Sequence, residues 1–194
     1  MALTTVRSTG ISSLPAISAA NLTSIPAANI TGTLPAISGA NLTGITTGKI
    51  LQVVNAQFHN NNVTTSSSFS ATSVTAQITP SATNSKVLVF LTIASMYTSD
   101  SDTNVDLRLH RSGGASGDGG ILDFEASAGY DTDIAGHGAA SSSCVFLDSP
   151  AVTSAVTYKC QFASSNNTHN SYINHWIRSS TRPKSTITLM EIAN

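Results

Sequence analysis

Beyond residue 49 the apolar residues come in short runs separated by clusters of Ser, Thr, Gly and Asn, a spacing that predicts strands rather than helices. Val105, Leu107 and Leu109 alternate with Asp106, Arg108 and His110, which predicts a strand wet on one side. Lys86 to Ile93 is a nearly continuous apolar run and predicts a strand buried on both faces. Further strands are predicted over Ile50–Val54, Phe69–Ile78, Gly120–Phe124, Ser143–Leu147, Val156–Phe162, Tyr172–Ile177 and Thr186–Ile192. Val156, Tyr158, Cys160 and Phe162 are expected to point inward. No window carries an amphipathic helix. Eight to ten short strands in about 145 residues predict an all-β, jelly-roll-like sandwich head over residues 49–194.

The pattern upstream is different. Leu14-Pro15-Ala16-Ile17-Ser18 returns as Leu34-Pro35-Ala36-Ile37-Ser38, and Ala20-Asn21-Leu22-Thr23 recurs as Ala28-Asn29-Ile30-Thr31 and Ala40-Asn41-Leu42-Thr43. Its large apolar residues are Leu14, Ile17, Leu22, Ile25, Ile30, Leu34, Ile37, Leu42 and Ile45. Their steps of three, four and five fit neither a heptad nor strict alternation, and Pro15, Pro26 and Pro35 exclude a long helix. Repeats bury their apolar face against neighbours. This stretch is too short to do so alone, so residues 11–48 are expected to form a threefold shaft with those nine side chains as its core. A disordered linker would carry fewer aliphatics and more net charge.

Charge sharpens the division. No Asp, Glu, Lys or Arg occurs from Ser8 to Gly48, nor from Ile50 to Ser85, so the boundary is placed near Gly48-Lys49. Charged residues are only 10% of the chain and net charge is -1, which excludes the clustered Lys and Arg of phosphate-driven nucleic-acid binding. No apolar run approaches the roughly 20 residues that span a bilayer, so no membrane insertion is expected. Met1–Gly10 lacks the layout of a secretory signal. Two cysteines make no disulfide framework; Cys144 and Cys160 either are small buried residues or face one another across a hairpin turning at Asp148-Ser149-Pro150.

Candidate chemistry is thin. Asp100-Ser101-Asp102-Thr103-Asn104-Val105-Asp106 alternates oxygen ligands like a calcium loop, but Val105 and Arg111 stand where that loop needs Gly and Glu. The glycine-rich run from Arg111 to Gly120 lacks a phosphate-binding lysine and reads as a loop tip. His59, His110, His137, His169 and His175 form no close ligand pairs, although a ring of symmetry-related His169 or His175 on a trimer axis is one way to hold a metal. Asp118, Asp123, Glu125, Asp131 and Asp133 offer carboxylates for sugar hydrolysis, but no spacing selects a pair. No enzyme, cofactor or metal is therefore expected.

The ordered set of words is more specific than any one of them. TGTLPAISGANLTGI (31–45), GKILQVVNA (48–56), ITPSATNSKVLVFL (78–91), FLDSPAVTSAVTYKCQF (146–162) and STITLMEIA (185–193) resemble the shaft repeats and head landmarks of bacteriophage tail-fibre proteins of the kind common in cyanophages. The resemblance implies a homotrimeric virion fibre, made in the host cytoplasm, whose C-terminal head contacts the host surface. Residues 1–10 would attach it to other tail or baseplate proteins. A bacterial surface offers mainly glycan, lipopolysaccharide or capsule, and sugars are held by aromatic faces with Asp, Asn and Arg on their hydroxyls. Tyr97, Tyr130, Asp131, Asp133, Trp176, Arg178 and Arg182, expected on loops, are the candidate receptor-binding residues. Trp176 and Tyr172 have a second reading as core of a late strand. The alternative function is a purely structural virion fibre or connector without a receptor; a polysaccharide depolymerase ranks below it.

Light scattering on the intact chain should give three times 20.0 kDa. Leu22→Asp or Ile30→Asp should abolish that mass, because a charge on the shaft axis would be buried without a partner. A native-mass trimer from either variant would show that the shaft is not the trimer core.

Overall fold

Residues 49–128, 140–175 and 183–193 are described by the computed structural model, and all lie in the unit Thr46–Asn194. The expected shaft and its nine core positions lie outside them. Ten strands run in order: β1 (Ile50–Phe58), β2 (Asn62–Thr64), β3 (Ser70–Ile78), β4 (Lys86–Thr98), β5 (Val105–Ser112), β6 (Gly119–Ala128), β7 (Ala140–Asp148), β8 (Val156–Ser164), β9 (Ser171–Ile173) and β10 (Ser185–Ile192). They form two antiparallel sheets, so the all-β reading holds. One runs β1-β10-β4, with β7 beside β4 and the far end of β4 joined through β9 to β2; the other runs β3-β8-β5-β6. From β3 onward the chain passes repeatedly between them, which closes one core between two faces.

That core follows from period-two patterning. Val105, Leu107 and Leu109 are fully buried while Asp106, Arg108 and His110 are not. Val156, Tyr158, Cys160 and Phe162 also point inward, against Val87, Val89, Leu91 and Ile93 of β4 and Ile187 and Leu189 of β10. Each such side chain contributes roughly 1.5–3 kcal/mol on leaving water.

Three expectations change. β4 alternates instead of burying both faces: Val87, Val89 and Leu91 are inside, but Phe90 between them is 37% exposed. Its apolar run therefore reports an apolar outer face, with no described element packed over it. Cys144 and Cys160 share no hairpin, because β7 pairs with β4 and β8 with β3 and β5. The Asp148–Pro150 turn carries the chain from one sheet to the other. Both thiols are free, and burial pushes Cys144 up to about 11 and Cys160 higher still. β9 stops at Ile173, before the predicted Ile177, and the short β2 went unpredicted.

Register aligns the outward residues of the first sheet into rows. Ile50–Ile192–Lys86 is followed by Val53–Met190–Leu88–Leu147, then Asn55–Thr188–Phe90–Val145, then Gln57–Thr186–Thr92–Ser143.

Two buried carboxylates tie the sandwich together. Asp148, at the end of β7, accepts from Arg111 Nη1 on both oxygens at 2.8 and 2.9 Å and from the Tyr158 hydroxyl at 2.6 Å. Arg111 and Tyr158 are register partners on β5 and β8, so the contact bridges the two sheets. Glu191, on β10, accepts from Gln52 Nε2 and from both the amide and hydroxyl of Ser81, each at 2.6 Å. Burial pushes this carboxyl up, but hydrogen bonds from Ser81, Gln52 and Ser85 outweigh it and hold the group down at about 2, from an ordinary 4.5.

Arg111→Ala leaves the Asp148 charge buried without a cation, and chemical denaturation should show a loss of about 3–5 kcal/mol. A loss below about 1 kcal/mol would show that the bridge is dispensable. Glu191 is depressed, so its stabilisation is complete above pH 4.5 and is lost as pH falls through about 2. Thermal melts of Glu191→Gln should accordingly depend less on pH between 5 and 2 than those of the parent chain.

Candidate functional site

The end of the sandwich where β4 meets β9 gathers aromatic rings. The pairing of β4 with β7 skips from Ile93 to Met96, leaving Ala94 and Ser95 as a bulge. Ser95 sits at φ 50, a left-handed backbone that costs a residue with a Cβ and needs outside support. Support comes from the segment after β9. The Asn174 amide donates to Ala94 O at 2.9 Å and the His175 amide to Ser95 O at 3.1 Å, while the Ser95 hydroxyl donates to His175 O at 2.6 Å.

Asn174 secures this junction. It is fully buried at φ 54, a conformation Asn tolerates better than most residues. Its side-chain amide donates to Asn60 O at 3.1 Å and its oxygen accepts from the Ser185 hydroxyl at 2.6 Å; Ser185 in turn accepts from the Ala94 amide at 3.0 Å. The start of β10, the bulge of β4 and the β1–β2 connection are thereby joined at one side chain.

Past the bulge, Tyr97 pairs directly with Tyr172. The residues on either side of Tyr97, Met96 and Thr98, are both 1% exposed, so the Tyr97 ring points away from the core. It stacks on His175 with centroids 4.4 Å apart and planes at 16°. Tyr172 closes the group at 4.7 Å from His175 and 5.7 Å from Tyr97, tilted to both. All three are half-buried, and aromatic contacts of this kind add about 0.5–1.5 kcal/mol each beyond area. Burial lowers the His175 pKa and so favours the neutral ring. Its Nδ1 is buried with no hydrogen-bond partner among the described residues.

A polar ladder continues from the rings. The Ser99 amide donates to Asn170 O and the Asn170 amide to Ser99 Oγ, both at 2.9 Å. His169 Nδ1 lies 3.2 Å from Asp100 Oδ2. An apolar ring surface beside amides, hydroxyls and a carboxylate has the chemistry to hold a sugar, whose faces are apolar and whose edges are hydroxyls.

Of the candidate residues, only Tyr97 lies among the described ones, and it stands in a strand rather than a loop because the bulge lets β4 run on to Thr98. Tyr130, Asp131, Asp133, Trp176, Arg178 and Arg182 lie outside them. Tyr172, read from the sequence as core of a late strand, is half-buried and belongs with Tyr97. His175 was missed as a partner. Its only signal was position, one residue before Trp176 and three after Tyr172.

The other motifs have structural roles. Asp100 accepts from the Ser101 amide at 2.8 Å, and Asn104 Nδ2 donates to Asp106 at 3.0 Å, within the calcium-like loop. In the glycine-rich turn the Gly113 amide donates to Asp118 at 2.9 Å. Gly113 adopts φ 90, and a Cβ there would meet Ala155 O at 2.7 Å. Asp123 pairs through both oxygens with Arg108, which lies 3.9 Å over the Phe69 ring. Among the described residues no three His, Cys, Asp or Glu side chains are grouped to hold a metal ion.

No family model matches the chain, and no curated protein sequence matches it. Among solved structures, similarity is found to the infectious bursal disease virus VP2 subviral particle, at 11% identity and TM-score 0.34 over 73% of this chain and 39% of that one. The Gt strain structure of the same virus gives 10% identity and TM-score 0.32 over 87% and 46%. Eiger TNF from S. frugiperda gives 14% identity and TM-score 0.32 over 73% and 94%. The chain thus spans less than half of the viral chains it is similar to, and likeness at this level says nothing of what it does.

Proposed function

We propose that the chain is a homotrimeric virion tail fibre whose β-sandwich head attaches to glycan on a bacterial host, with no catalytic step. The fibre reading rests on the repeat grammar of residues 11–48 and on the ordered head landmarks. The strand orders β1-β10-β4-β7 and β3-β8-β5-β6 support a jelly-roll head, since eight strands wound as two Greek keys interleave in this way.

One observation carries the glycan reading: the Tyr97, Tyr172 and His175 rings meet at one end of the sandwich beside the Ser99–Asn170 ladder. A neutral His175 adds ring surface without a charge to desolvate. Trp176, Arg178 and Arg182, which follow His175 in the chain, and Tyr130, Asp131 and Asp133, which precede β7, remain candidates by residue type. Affinity per head would be modest, and three heads on many fibres would raise it by avidity.

The test is binding of the full chain to immobilised bacterial lipopolysaccharides and capsules. Tyr97→Ala and Tyr172→Ala should each weaken binding at least about tenfold, or about 1.4 kcal/mol, with solution mass unchanged. Full affinity in both variants would remove the ring cluster from the binding face. A parent chain that binds none of the polysaccharides, on virions that adsorb normally without the head, would favour the purely structural fibre.

A further inference from the structure

We infer that the outer face of the β1-β10-β4-β7 sheet is an interface, and that its occupant is a second copy of this chain. The inference rests on the trimeric-fibre reading and names the surface through which the heads would meet. Its first ground is the contrast between the two outer faces. The β3-β8-β5-β6 face carries Asp106, Arg108, Lys159 and Asp123 among its outward positions, as a solvated sheet does. The four rows of the opposite face carry a single charge, Lys86, at the end of one row.

Two of the uncharged rows also carry exposed apolar side chains. Val53 is 54% exposed, Val145 61%, Leu147 48% and Phe90 37%, with Met190 and Leu88 between them half-buried. β1, β4 and β7 hold six of the seven exposed large hydrophobic residues among the described ones. A contiguous patch of this kind marks an interaction site in a soluble protein. A face without carboxylates and with one peripheral lysine can meet its own copy with almost no charge to desolvate.

Area and position select the occupant. Four strands about 4.8 Å apart and eight residues at about 3.4 Å each give a footprint of roughly 500 Å². A free-standing stable interface needs about 800 Å² per partner, so this face holds weakly a partner that arrives alone. A copy already tethered is different, because its effective concentration is in the millimolar range. Residues 11–48, whose repeats call for copies of themselves, immediately precede Lys49 and β1 in the chain. The apolar rows lie at the Ile50 end, and Gln57–Thr186–Thr92–Ser143 lies furthest from it. Apolarity thus falls with distance from the tether, as it should if copies close on one another from that end.

The experiment compares two single-cysteine sites of matched exposure in the full chain, Val53→Cys on the face and Val63→Cys on β2, 54% and 53% exposed respectively. Maleimide labelling is followed by intact mass beside light scattering; burial keeps the native Cys144 and Cys160 thiols protonated and slow. Labelling of Val53→Cys at least tenfold slower than Val63→Cys, in a particle of three times 20.0 kDa, is the expected result. Equal labelling in such a particle overturns this interface and leaves the trimeric fibre standing. A single-chain mass overturns both. Protection in a particle of two chains keeps the copy on this face and removes the threefold reading.

Discussion

Two apolar sheets pressed together are free to slide until something directional fixes them, and here that role falls to a buried charge. Asp148 ends β7 in one sheet and receives Arg111 and Tyr158 from the other. Arg111 occupies an inward position of β5, where Leu107 and Leu109 precede it. An arginine there is tolerable only if a carboxylate meets it, since an unpaired charge in the core costs several kcal/mol. The sheets therefore have one alignment that satisfies both groups. Burial, followed by the hydrogen bond to Asp148, raises the Tyr158 pKa, so its proton stays in place to donate.

The proposed binding end depends on that alignment at one remove. β4 is shared by both halves of its sheet, paired first with β10 and β7 and then with β9. The change of partner is made at the Ala94–Ser95 bulge, whose strained backbone is stabilised by hydrogen bonds from Asn174 and His175. The same bonds that hold the bulge therefore set His175 against Tyr97. Ring placement is a by-product of satisfying backbone groups that a bulge would otherwise leave buried and unpaired.

Glu191 plays a parallel part at the other end. Its inward carboxylate gathers Gln52 from β1 and Ser81 from the β3–β4 connection, so the edge strand into which the repeats lead is fastened to the core. Polar groups thus secure both ends of an apolar sandwich. The middle of one outer face carries no charge, and no described element packs over it.

Period-two alternation in β5 and β8 was legible because each inward apolar residue is chosen by burial alone, independent of its partners. The repeat of residues 11–48, the charge boundary and the all-β class were legible on the same ground, since composition and spacing are local. The hairpin reading of Cys144 and Cys160 was not, because a turn of given sequence serves equally between two strands of one sheet and between two sheets. β4 was misread as doubly buried for a related reason: a run of apolar residues does not say whether its second face is covered. Tyr97 was named from its residue type, but its company depended on a bulge stabilised by Asn174, 80 positions beyond Ala94 in the chain. By itself, then, the sequence determined which residues must leave water and at what period. Tertiary structure alone decided which polar groups meet, because a hydrogen bond is directional over about 3 Å and its partner's distance along the chain leaves no trace in local pattern.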